Sequence, residues 1–364
     1  MPIEVYSFFS GVGFLDLGFE NAGFNIVFVN EYNERFLQAY QYARRKNNHI
    51  PILGYSHEDV RMYLSDEKWE KAFPEYNNRK NKLIGFIGGP PCPDFSIAGK
   101  NEGENGENGQ LTSAYVDLII RRKPDFFVLE NVKGLYKTKK HKEFYERIKR
   151  KLYRHGYSLF DSIENALCYG VPQYRDRLIL IGFSRKKFGK GIRYQIGNNR
   201  IYNLEAVLSM DWPDITPYKQ NGHIDMPQNI LENLTIQHWF DQNHVLNHPN
   251  GHDIFAIKNE ERYTTIPEGE SRGKSFKRLH RWKYSPTAAY GNNEVHLHPY
   301  LPRRISVAEA LAIQSLPEWF ELPQGIPLSS KFKMVGNGVP YLLALGIANE
   351  LYEWIAEFQH RIGE

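Results

Sequence analysis

EVYSFFSGVGFLDLGFENAG (residues 4–23) contains an apolar run, two glycines one residue apart, and then a mixed apolar and polar segment. EVYSFF predicts a buried strand, SGVG predicts a tight turn, and FLDLGFENAG predicts a helix that ends at Gly23. NIVFVN (25–30) predicts a second strand, so the chain opens with a strand–helix–strand unit. Continuously apolar strands separated by helices are typical of a parallel sheet that helices cover on both faces.

Three more apolar runs extend this pattern: KLIGFIGG (82–89), PDFFVLENV (124–132) and DRLILIGF (176–183). Together the runs predict an α/β fold built on a doubly wound, mostly parallel sheet. From residue 184 to about 300 the chain is polar and rich in Asn, His, Pro and Gly, which predicts a second, smaller domain that is irregular or β-rich.

Helical patterns return near the carboxyl terminus, at residues 306–316 and 340–358. Ser306 and Glu309 have the spacing of a capping box, in which each side chain satisfies a backbone N–H of the first helical turn. The sequence therefore predicts that the last part of the chain rejoins the helical layers of the first half.

Composition restricts the class of protein. A chain of 364 residues can bury one large core or two modest ones. No apolar stretch approaches the roughly 20 residues of a membrane span, and the first residues lack a secretory pattern. Two cysteines cannot build a disulfide framework or a cysteine-rich zinc site, so a reducing cytosol is the expected setting.

The basic residues are unevenly distributed. Lys133 to Arg154 holds ten Lys/Arg against two acids, but its helix-like spacing favours a merely solvated face. Arg185 to Arg200 and Arg272 to Lys283 each hold six Lys/Arg and no acid. Acid-free basic stretches with aromatic residues nearby predict a polyanionic partner, and we expect nucleic acid.

The first glycine turn has the features of a nucleoside site. Gly11 and Gly13 let a ligand approach the amide groups at a helix start, although a plain tight turn explains them equally well. Glu31 ends the next strand, 20 residues after Gly11, where a carboxylate can accept hydrogen bonds from two ribose hydroxyls. Tyr32 could stack on an adenine, and Asp59–Val60 could contact its amino edge. These positions predict a nucleoside cofactor.

GGPPCPDFS (88–96) places Cys92 just after a strand, where it is either a small buried hydrophobe or a nucleophile. Glu130 follows the next strand, and Arg175 and Arg177 share one face of another by the strand period of two. Taken singly, the acid and the arginine pair are each explained as residues of a solvated surface. Because parallel strands end at the edge where ligands bind, this order of thiol, acid and arginine pair favours a catalytic cluster.

Six segments resemble, in order and spacing, the motifs of the DNA cytosine-5 methyltransferases: FSGVGFLDLGFENAGF, GGPPCPDFS, ENV, QYRDRLILIGF, PRRISVAEALAIQSLPEWF and GNGVPYLLALGIANEL. The resemblance covers nearly the whole chain except roughly residues 185–280. It implies a Rossmann-like S-adenosylmethionine-dependent methyltransferase fold. It also implies a catalytic domain formed by residues 1–184 plus 335–364, and a target-recognition domain with its hinge in residues 185–334.

The resemblance also implies a mechanism in which the target cytosine is flipped out of the duplex. Cys92 would attack carbon 6, Glu130 would contact N3 and the amino group, and Arg175 and Arg177 would orient Glu130 and contact the base. The methyl group would go to carbon 5. The resemblance places S-adenosylmethionine beside Phe9, Gly11, Val12, Gly13, Glu31, Tyr32, Asp59, Val60, Pro91, Leu111, Asn337 and Val339.

The implied partner is double-stranded DNA, read by the 185–334 region through the major groove. The implied context is a bacterial restriction-modification system with a cognate endonuclease, and an enzyme that is monomeric, cytoplasmic, nucleoid-associated and free of membrane and metal. His244, His248 and His252 recur every four residues, but Pro249 and Gly251 break the helix that a metal site would need.

Two positions depart from the family pattern. Pro93 replaces the usual Gln after the catalytic cysteine, and proline removes an N–H and fixes φ. Asn108 stands where an Arg often precedes Gly-x-Leu, which removes a phosphate contact. Both changes bear on DNA affinity and loop closure rather than on the chemistry.

Three other interpretations are weighed against this one. A catalytically silent DNA-binding relative would not need Cys92, Glu130 and both arginines. An RNA methyltransferase of the same family typically has Thr where this chain has Ser96, and lacks a long recognition insert. A nicotinamide-dependent dehydrogenase would explain the glycine turn but not the cysteine and the acid at the strand ends.

Overall fold

The computed structural model describes residues 1–46, 49–79, 82–91, 107–136, 138–257, 260–273, 275–288, 290 and 295–363. The sequence-predicted positions Cys92, Pro93 and Ser96 lie outside the described residues. Within the described part, seven strands form one sheet: β1 (Ile3–Phe8), β2 (Asn25–Asn30), β3 (Tyr55–Ser56), β4 (Leu83–Gly88), β5 (Phe126–Val132), β6 (Tyr157–Asn165) and β7 (Asp176–Ser184).

The strand order is β3-β2-β1-β4-β5-β7-β6. The first five strands in this order run parallel, whereas β7 is antiparallel to both β5 and β6. The predicted α/β fold with a mostly parallel sheet is confirmed. We call the end of the sheet at which β1, β2, β4 and β5 finish the carboxyl edge, and the opposite end the amino edge. Because β7 is reversed, Arg177 at its start pairs with Val132 at the end of β5, at the carboxyl edge.

Helices cover both faces of the sheet, as a doubly wound fold requires. Alternate residues of β1 point to opposite faces, with Val5 in one apolar cluster and Tyr6 in the other. Helices of the first face are α1 (Phe14–Asn21), α2 (Glu34–Lys46) and α12 (Tyr341–Gly363), and those of the second are α3 (Asp66–Ala72), α4 (Glu107–Arg122) and α5 (Lys139–Arg154). No helix in the described residues is long and apolar enough to span a membrane.

Residues 185–334 are irregular, as predicted, and their helices are mostly short. These are α6 (Arg185–Phe188), α7 (Leu204–Leu208), α8 (Ile236–Gln242), α9 (Glu260–Thr265), α10 (Val307–Ile313) and α11 (Leu328–Asn337). The predicted capping box of Ser306 and Glu309 is confirmed at the start of α10. The expected short strands are not found in the described part of this region, which has only isolated bridges such as Thr216–Glu268.

Buried arginines take over the role that strand ladders play elsewhere, because backbone carbonyls without a ladder still need donors. Arg278 donates to the carbonyls of Ile266, at 2.8 Å, and of Tyr263 and His298. Arg281 forms a bidentate ion pair with Glu268, with both N–O distances 2.9 Å. Both arginines are under 10% exposed, so their part of the basic Arg272–Lys283 run is internal and not a DNA-binding surface.

This region packs directly on the first helical layer. Apolar residues of α8, α10 and α11 share one buried cluster with residues at the start of α1 and on α2. Phe14 of α1 meets Phe320 edge to face, with ring centroids 5.3 Å apart. The chain after the irregular region is therefore anchored beside the first glycine turn, which brings residues 337–339 to the carboxyl edge.

Candidate active site

A buried ion pair stands at the carboxyl edge of the sheet. Glu130, near the end of β5, is 8% exposed, and its Oε1 lies 2.7 Å from Nε of Arg177 on β7. Burial raises the pKa of Glu130 above its ordinary value, against the lowering effect of Arg177 and then of Arg175. The site thus holds a carboxyl group that keeps a proton more readily than an ordinary glutamate does, and an arginine that fixes its orientation.

The other carboxylate oxygen of Glu130 lies against the chain that leaves β4. A Cβ built on Gly89 would come within 2.6 Å of Glu130 Oε2, so only glycine lets the backbone pass at this distance. Gly89 precedes Cys92 by three residues. The structure does not describe Cys92, but it brings the described end of its segment into contact with the predicted acid.

Replacing Gly89 by alanine tests this close approach. The new methyl group would push the Glu130 carboxylate away from the β4 end or strain its pair with Arg177, and we expect catalytic turnover to fall at least tenfold. The cost to stability should stay in the range of about 1–3 kcal/mol that overpacking usually causes. Steady-state methylation rates and denaturant unfolding of the same samples measure the two effects. Wild-type turnover in a folded variant would contradict the placement of Glu130.

Arg175 is buried at 1% exposure and has a different set of partners from the one predicted. Its guanidinium donates to the carbonyl oxygens of Ala288, at 2.8 Å, and of Gly336, at 2.6 Å. Gln173 supports it by accepting from Arg175, at 3.3 Å, and from the Ala288 amide, at 3.1 Å. Arg175 therefore joins the start of β7 to the irregular region at Ala288 and to the end of α11 at Gly336. It acts on Glu130 through its charge.

A second buried carboxylate lies under the glycine turn. Asp16 of α1 is fully buried and accepts hydrogen bonds from Ser7, at 2.8 Å, and from Tyr40, at 2.9 Å. Burial raises its pKa to about 6. Arg44 of α2 donates to the carbonyl of Gly13, at 2.6 Å, and a Cβ on Gly13 would lie 2.5 Å from the Tyr40 ring. These groups fix the turn from the side of the core.

The turn itself has a left-handed backbone. Phe9, Gly11 and Gly13 have φ values of 53°, 58° and 85°, and this is a strained conformation for a bulky residue such as Phe9. A Cβ built on Gly11 would meet no described atom within 4 Å, so the space beside the turn is free. Val12, the remaining predicted residue of the turn, points into the core. Strain at Phe9 beside an open turn is consistent with a ligand-binding position.

Glu31 faces this turn as the sequence predicts. Its carboxylate accepts from the amide of Gly11 and from the amide of Asn33, both at 2.8 Å. Burial raises the pKa of Glu31, while the amides of Asn33 and Gly11 act against that rise. A carboxylate offers about four acceptor positions, so two remain for hydroxyl groups of a ligand. The residues present therefore fit a ribose.

The other predicted cofactor residues surround the same edge with different exposures. Asp59 caps a 3₁₀ helix and forms an ion pair with Arg61 at 2.5 Å. The backbone carbonyl of the preceding residue, Glu58, accepts a hydrogen bond from the side chain of Asn30. Phe9 contacts Tyr115 of α4, one turn after Leu111, with ring centroids 5.8 Å apart. The exposures are as follows: Tyr32 and Asn337 are exposed, Pro91 and Leu111 are half-buried, and Val60 and Val339 are buried.

Sequence reasoning missed the supporting residues Asp16, Tyr40, Arg44, Gln173 and Gly89. The signal for Asp16 was available, since it is a carboxylate between Leu15 and Leu17 in a predicted buried helix. Gln173 directly precedes the arginine pair. The role of Gly89 depends on the distance between two strands and could not be inferred from spacing along the chain.

The histidine series has structural partners. His248 is buried and lies 3.2 Å from the Phe320 carbonyl, and His244 lies 2.9 Å from Glu318. Among the residues that the structure describes, no group of His, Cys, Asp or Glu is arranged to hold a metal ion. Cys168 is a free thiol in the apolar core, and burial raises its pKa.

Comparison with known proteins agrees with this geometry. The family model for C-5 cytosine-specific DNA methylases matches residues 3–353. The Type II methyltransferase M.NmeDI of Neisseria meningitidis serogroup C is 50% identical over 361 residues, which cover 98% of this chain and 85% of that protein. The Type II methyltransferase M.FnuDI of Fusobacterium nucleatum is 29% identical over 380 residues, covering 98% of this chain and 96% of that protein.

A solved structure supports the fold. It is described as a DNA modification methyltransferase encoded within a prophage of E. coli, and it aligns with a TM-score of 0.64 at 23% identity, covering 97% of this chain and 99% of that one. The family match extends over nearly the whole chain and includes both the glycine turn and the Glu130–Arg177 pair. The chain therefore belongs to the C-5 cytosine-specific DNA methylase family, whose members take their methyl group from S-adenosylmethionine.

Proposed function

We propose that this Type II DNA cytosine-5 methyltransferase acts on a cytosine flipped out of the duplex, with Cys92 as nucleophile and Glu130 as the group that protonates N3. The observation that carries the proposal is the position of Glu130, buried, held by Arg177 at 2.7 Å and in contact with the backbone at Gly89. Flipping is needed because the ring carbons of a stacked cytosine are out of reach.

The chemistry requires an acid and a thiolate on one ring. Carbon 6 of cytosine is a poor electrophile until charge at N3 is neutralised. As the Cys92 thiolate forms a bond to carbon 6, the displaced electron pair moves toward N3, which takes the proton of Glu130. Burial raises the pKa of Glu130, which favours its protonated form relative to that of an ordinary glutamate. The methyl group that S-adenosylmethionine would supply goes to carbon 5. A base removes the carbon-5 proton, N3 returns its proton to Glu130, and the thiolate leaves.

Arg177 and Arg175 have different parts in this proposal. Arg177 orients the Glu130 carboxyl group and limits its pKa, because it touches one of its oxygens. Arg175 holds the carbonyls of Ala288 and Gly336, so it fixes both positions relative to β7. Ala288 belongs to residues 185–334, which we propose as the target-recognition domain and hinge, and Gly336 belongs to the catalytic domain, which we propose is formed by residues 1–184 plus 335–364.

For the cofactor we propose the cradle at the ends of β1, β2 and β4. Glu31 would accept the two ribose hydroxyls with the acceptor positions that its amide partners leave open. The polar end of the molecule would lie beside the Gly11–Gly13 turn, where the space next to Gly11 is open. The other members of the proposed set are Phe9, Val12, Tyr32, Asp59, Val60, Pro91, Leu111, Asn337 and Val339.

The wider setting is also a proposal. The similarity to Type II methyltransferases supports a role as the modification partner of a cognate endonuclease in a bacterial cytoplasm, at the nucleoid. We also propose that the enzyme acts as a monomer.

Expression of the chain in a bacterium without cytosine methylation tests the proposal. We expect 5-methylcytosine at one short sequence throughout the genome, detected by conversion sequencing, and none in cells that carry an empty vector. Protection of the same sites from endonucleases blocked by cytosine methylation gives an independent readout. Methylation confined to transfer RNA would support the RNA-modifying alternative instead, and N4-methylcytosine would contradict attack at carbon 6.

A further inference from the structure

The fold brings two separate basic runs together on the side of the sheet away from the active site. The carboxyl-terminal turns of α5 end where β6 begins, and α6 starts where β7 finishes. Tyr157 pairs with Ser184 at this point, and Phe183 pairs with Phe126 at the start of β5, so both runs meet at the amino edge. The amide of Arg185 bonds the carbonyl of Gly156 at 2.8 Å, which fixes α6 against the end of α5.

Six cations form what we call the amino-edge patch: Arg150, Arg154, Arg185, Lys186, Lys187 and Lys190. Among the described residues, no carboxylate lies within ion-pairing distance of any of the six. The two nearby acids, Glu146 and Asp161, are both occupied by Lys149, at 3.7 Å and 2.9 Å. With Lys149 included, seven cations face these two carboxylates, so the patch has a clear excess of positive charge.

The patch is concave and has an apolar floor. Four of its cations line an open groove together with Tyr153 and Phe160. The Tyr153 ring is 57% exposed, and the Arg185 guanidinium stacks 4.4 Å from its centroid. A groove lined by several cations fits the repeated phosphates of a nucleic-acid backbone better than it fits a small anion.

The active site and the patch lie at opposite ends of the sheet. β7 runs from Arg177 at the carboxyl edge to Ser184 at the amino edge, and seven residues of strand span about 23 Å. DNA stays nearly straight over lengths well below its persistence length of roughly 150 base pairs. A duplex that is seated over Glu130 does not bend around the sheet to reach the patch.

We propose that the amino-edge patch is a second, sequence-independent binding site for duplex DNA, which holds a segment separate from the one being methylated. The contacts are to phosphates, so base sequence has no influence on them. On long DNA the patch would keep the enzyme attached while the active site releases one target and searches for the next. The inference rests on duplex DNA being the substrate, and it is independent of the roles of Cys92 and Glu130.

The test compares two triple variants of the full chain. The patch variant carries Arg150→Gln, Arg154→Gln and Lys190→Gln. The control variant carries Arg45→Gln, Lys71→Gln and Lys123→Gln, three exposed cations that have no ion-pair partner among the described residues and lie outside the patch. The probe is a 16-base-pair duplex of arbitrary sequence. Binding stoichiometry is measured by sedimentation at about 50 mM salt.

We expect two duplexes per molecule for the wild type and the control variant, and one for the patch variant. Because each phosphate contact contributes about 0.9 to the salt slope, three contacts from the substituted cations should give the second duplex of the wild type and of the control variant a slope of about 3 or more. Methylation of a short duplex should stay within about twofold of wild type in both variants. If the wild type itself does not methylate the short duplex, the proposed function fails, and the proposal about the patch is judged on the binding data alone.

Two results would overturn the proposal. One is a single duplex per wild-type molecule, or two per patch variant. The other is that an acidic polypeptide, such as polyglutamate, binds the wild-type patch and duplex DNA does not displace it. That second result would assign the surface to a protein partner.

Discussion

Replacing Cys92 by alanine is expected to abolish methyl transfer and leave DNA binding within a few-fold of wild type. Without the sulfur no bond to carbon 6 forms, so carbon 5 never becomes nucleophilic enough to accept a methyl group. Loss of a covalent nucleophile typically lowers turnover by roughly 10⁴-fold or more. Single-turnover methylation with labelled S-adenosylmethionine measures the rate, and a gel-shift titration measures binding.

The chain supplies its own control in its second cysteine. Cys168 is 4% exposed in the apolar core, and burial raises the pKa of its thiol, so it cannot replace Cys92 as a thiolate. Cys168→Ala should keep wild-type turnover with a small loss of stability. A duplex that carries 5-fluorocytosine, which has no carbon-5 proton to lose, should trap a covalent adduct with wild type and Cys168→Ala but not with Cys92→Ala. Turnover within tenfold of wild type in Cys92→Ala would exclude the nucleophile assignment.

The sheet could be predicted where the chain is apolar on both faces. β4 and β5 are buried nearly throughout, and their sequences are continuous apolar runs. β6 was missed because it is an edge strand, half-buried over most of its length, and its sequence YSLFDSIEN mixes polar and apolar residues without the strict alternation that predicts such a strand. The reversed direction of β7 is a property of its pairing with β5 and β6, which nothing in the run DRLILIGF reveals.

Charge was the least predictable feature. A run of basic residues looks the same in sequence whether it faces solvent or carbonyl groups, and only the fold separates the two cases. Arg278 and Arg281 are internal because the irregular region lacks strand ladders, so its carbonyls and Glu268 need donors. The Arg185–Lys190 segment remains at the surface, because α6 has no carboxylate near it among the described residues.

The sequence indicated which residues share the carboxyl edge but not what each of them contacts there. Strand ends indicated Glu130 and Arg177, since both follow or begin apolar runs that reach one edge. The sequence does not indicate that Arg175 would bond to Ala288 and Gly336, because those contacts join positions more than 110 residues apart. Spacing identifies which residues share an edge, and packing decides what each one touches.

Glu130→Gln is expected to lower turnover by about 10²–10⁴-fold, the usual range for loss of a general acid. Glutamine has nearly the same shape and can still face Arg177, but it cannot give a proton to N3. Removing one partner of a buried ion pair also destabilises the fold, so stability must be measured with the rate. Glu164→Gln is the matched control, because Glu164 is a buried carboxylate on β6, two strands from β5 in the same sheet, and forms its own ion pair with Arg200 at 2.5 Å.

The pH dependence of stability separates the two roles of Glu130. Burial raises its folded pKa above the unfolded value, so the folded state binds the proton more tightly. The stability that this proton contributes is complete below the unfolded pKa and is lost as pH rises through the folded pKa. Glu130→Gln lacks this loss, and its stability relative to wild type should improve as pH rises from about 4 to 7. Glu164→Gln should show the opposite trend, because hydrogen bonds led by that from Arg200 outweigh burial and lower the pKa of Glu164.

Together the two measurements decide whether Glu130 is an acid or only part of the scaffold. If its role were structural, Glu130→Gln and Glu164→Gln would lose stability to a similar extent and would keep similar turnover once folded. If Glu130 protonates N3, only Glu130→Gln loses turnover under conditions where both variants are folded. A rate for Glu130→Gln within threefold of that for Glu164→Gln would remove the acid from the mechanism, because the attack of Cys92 would then proceed without a proton at N3.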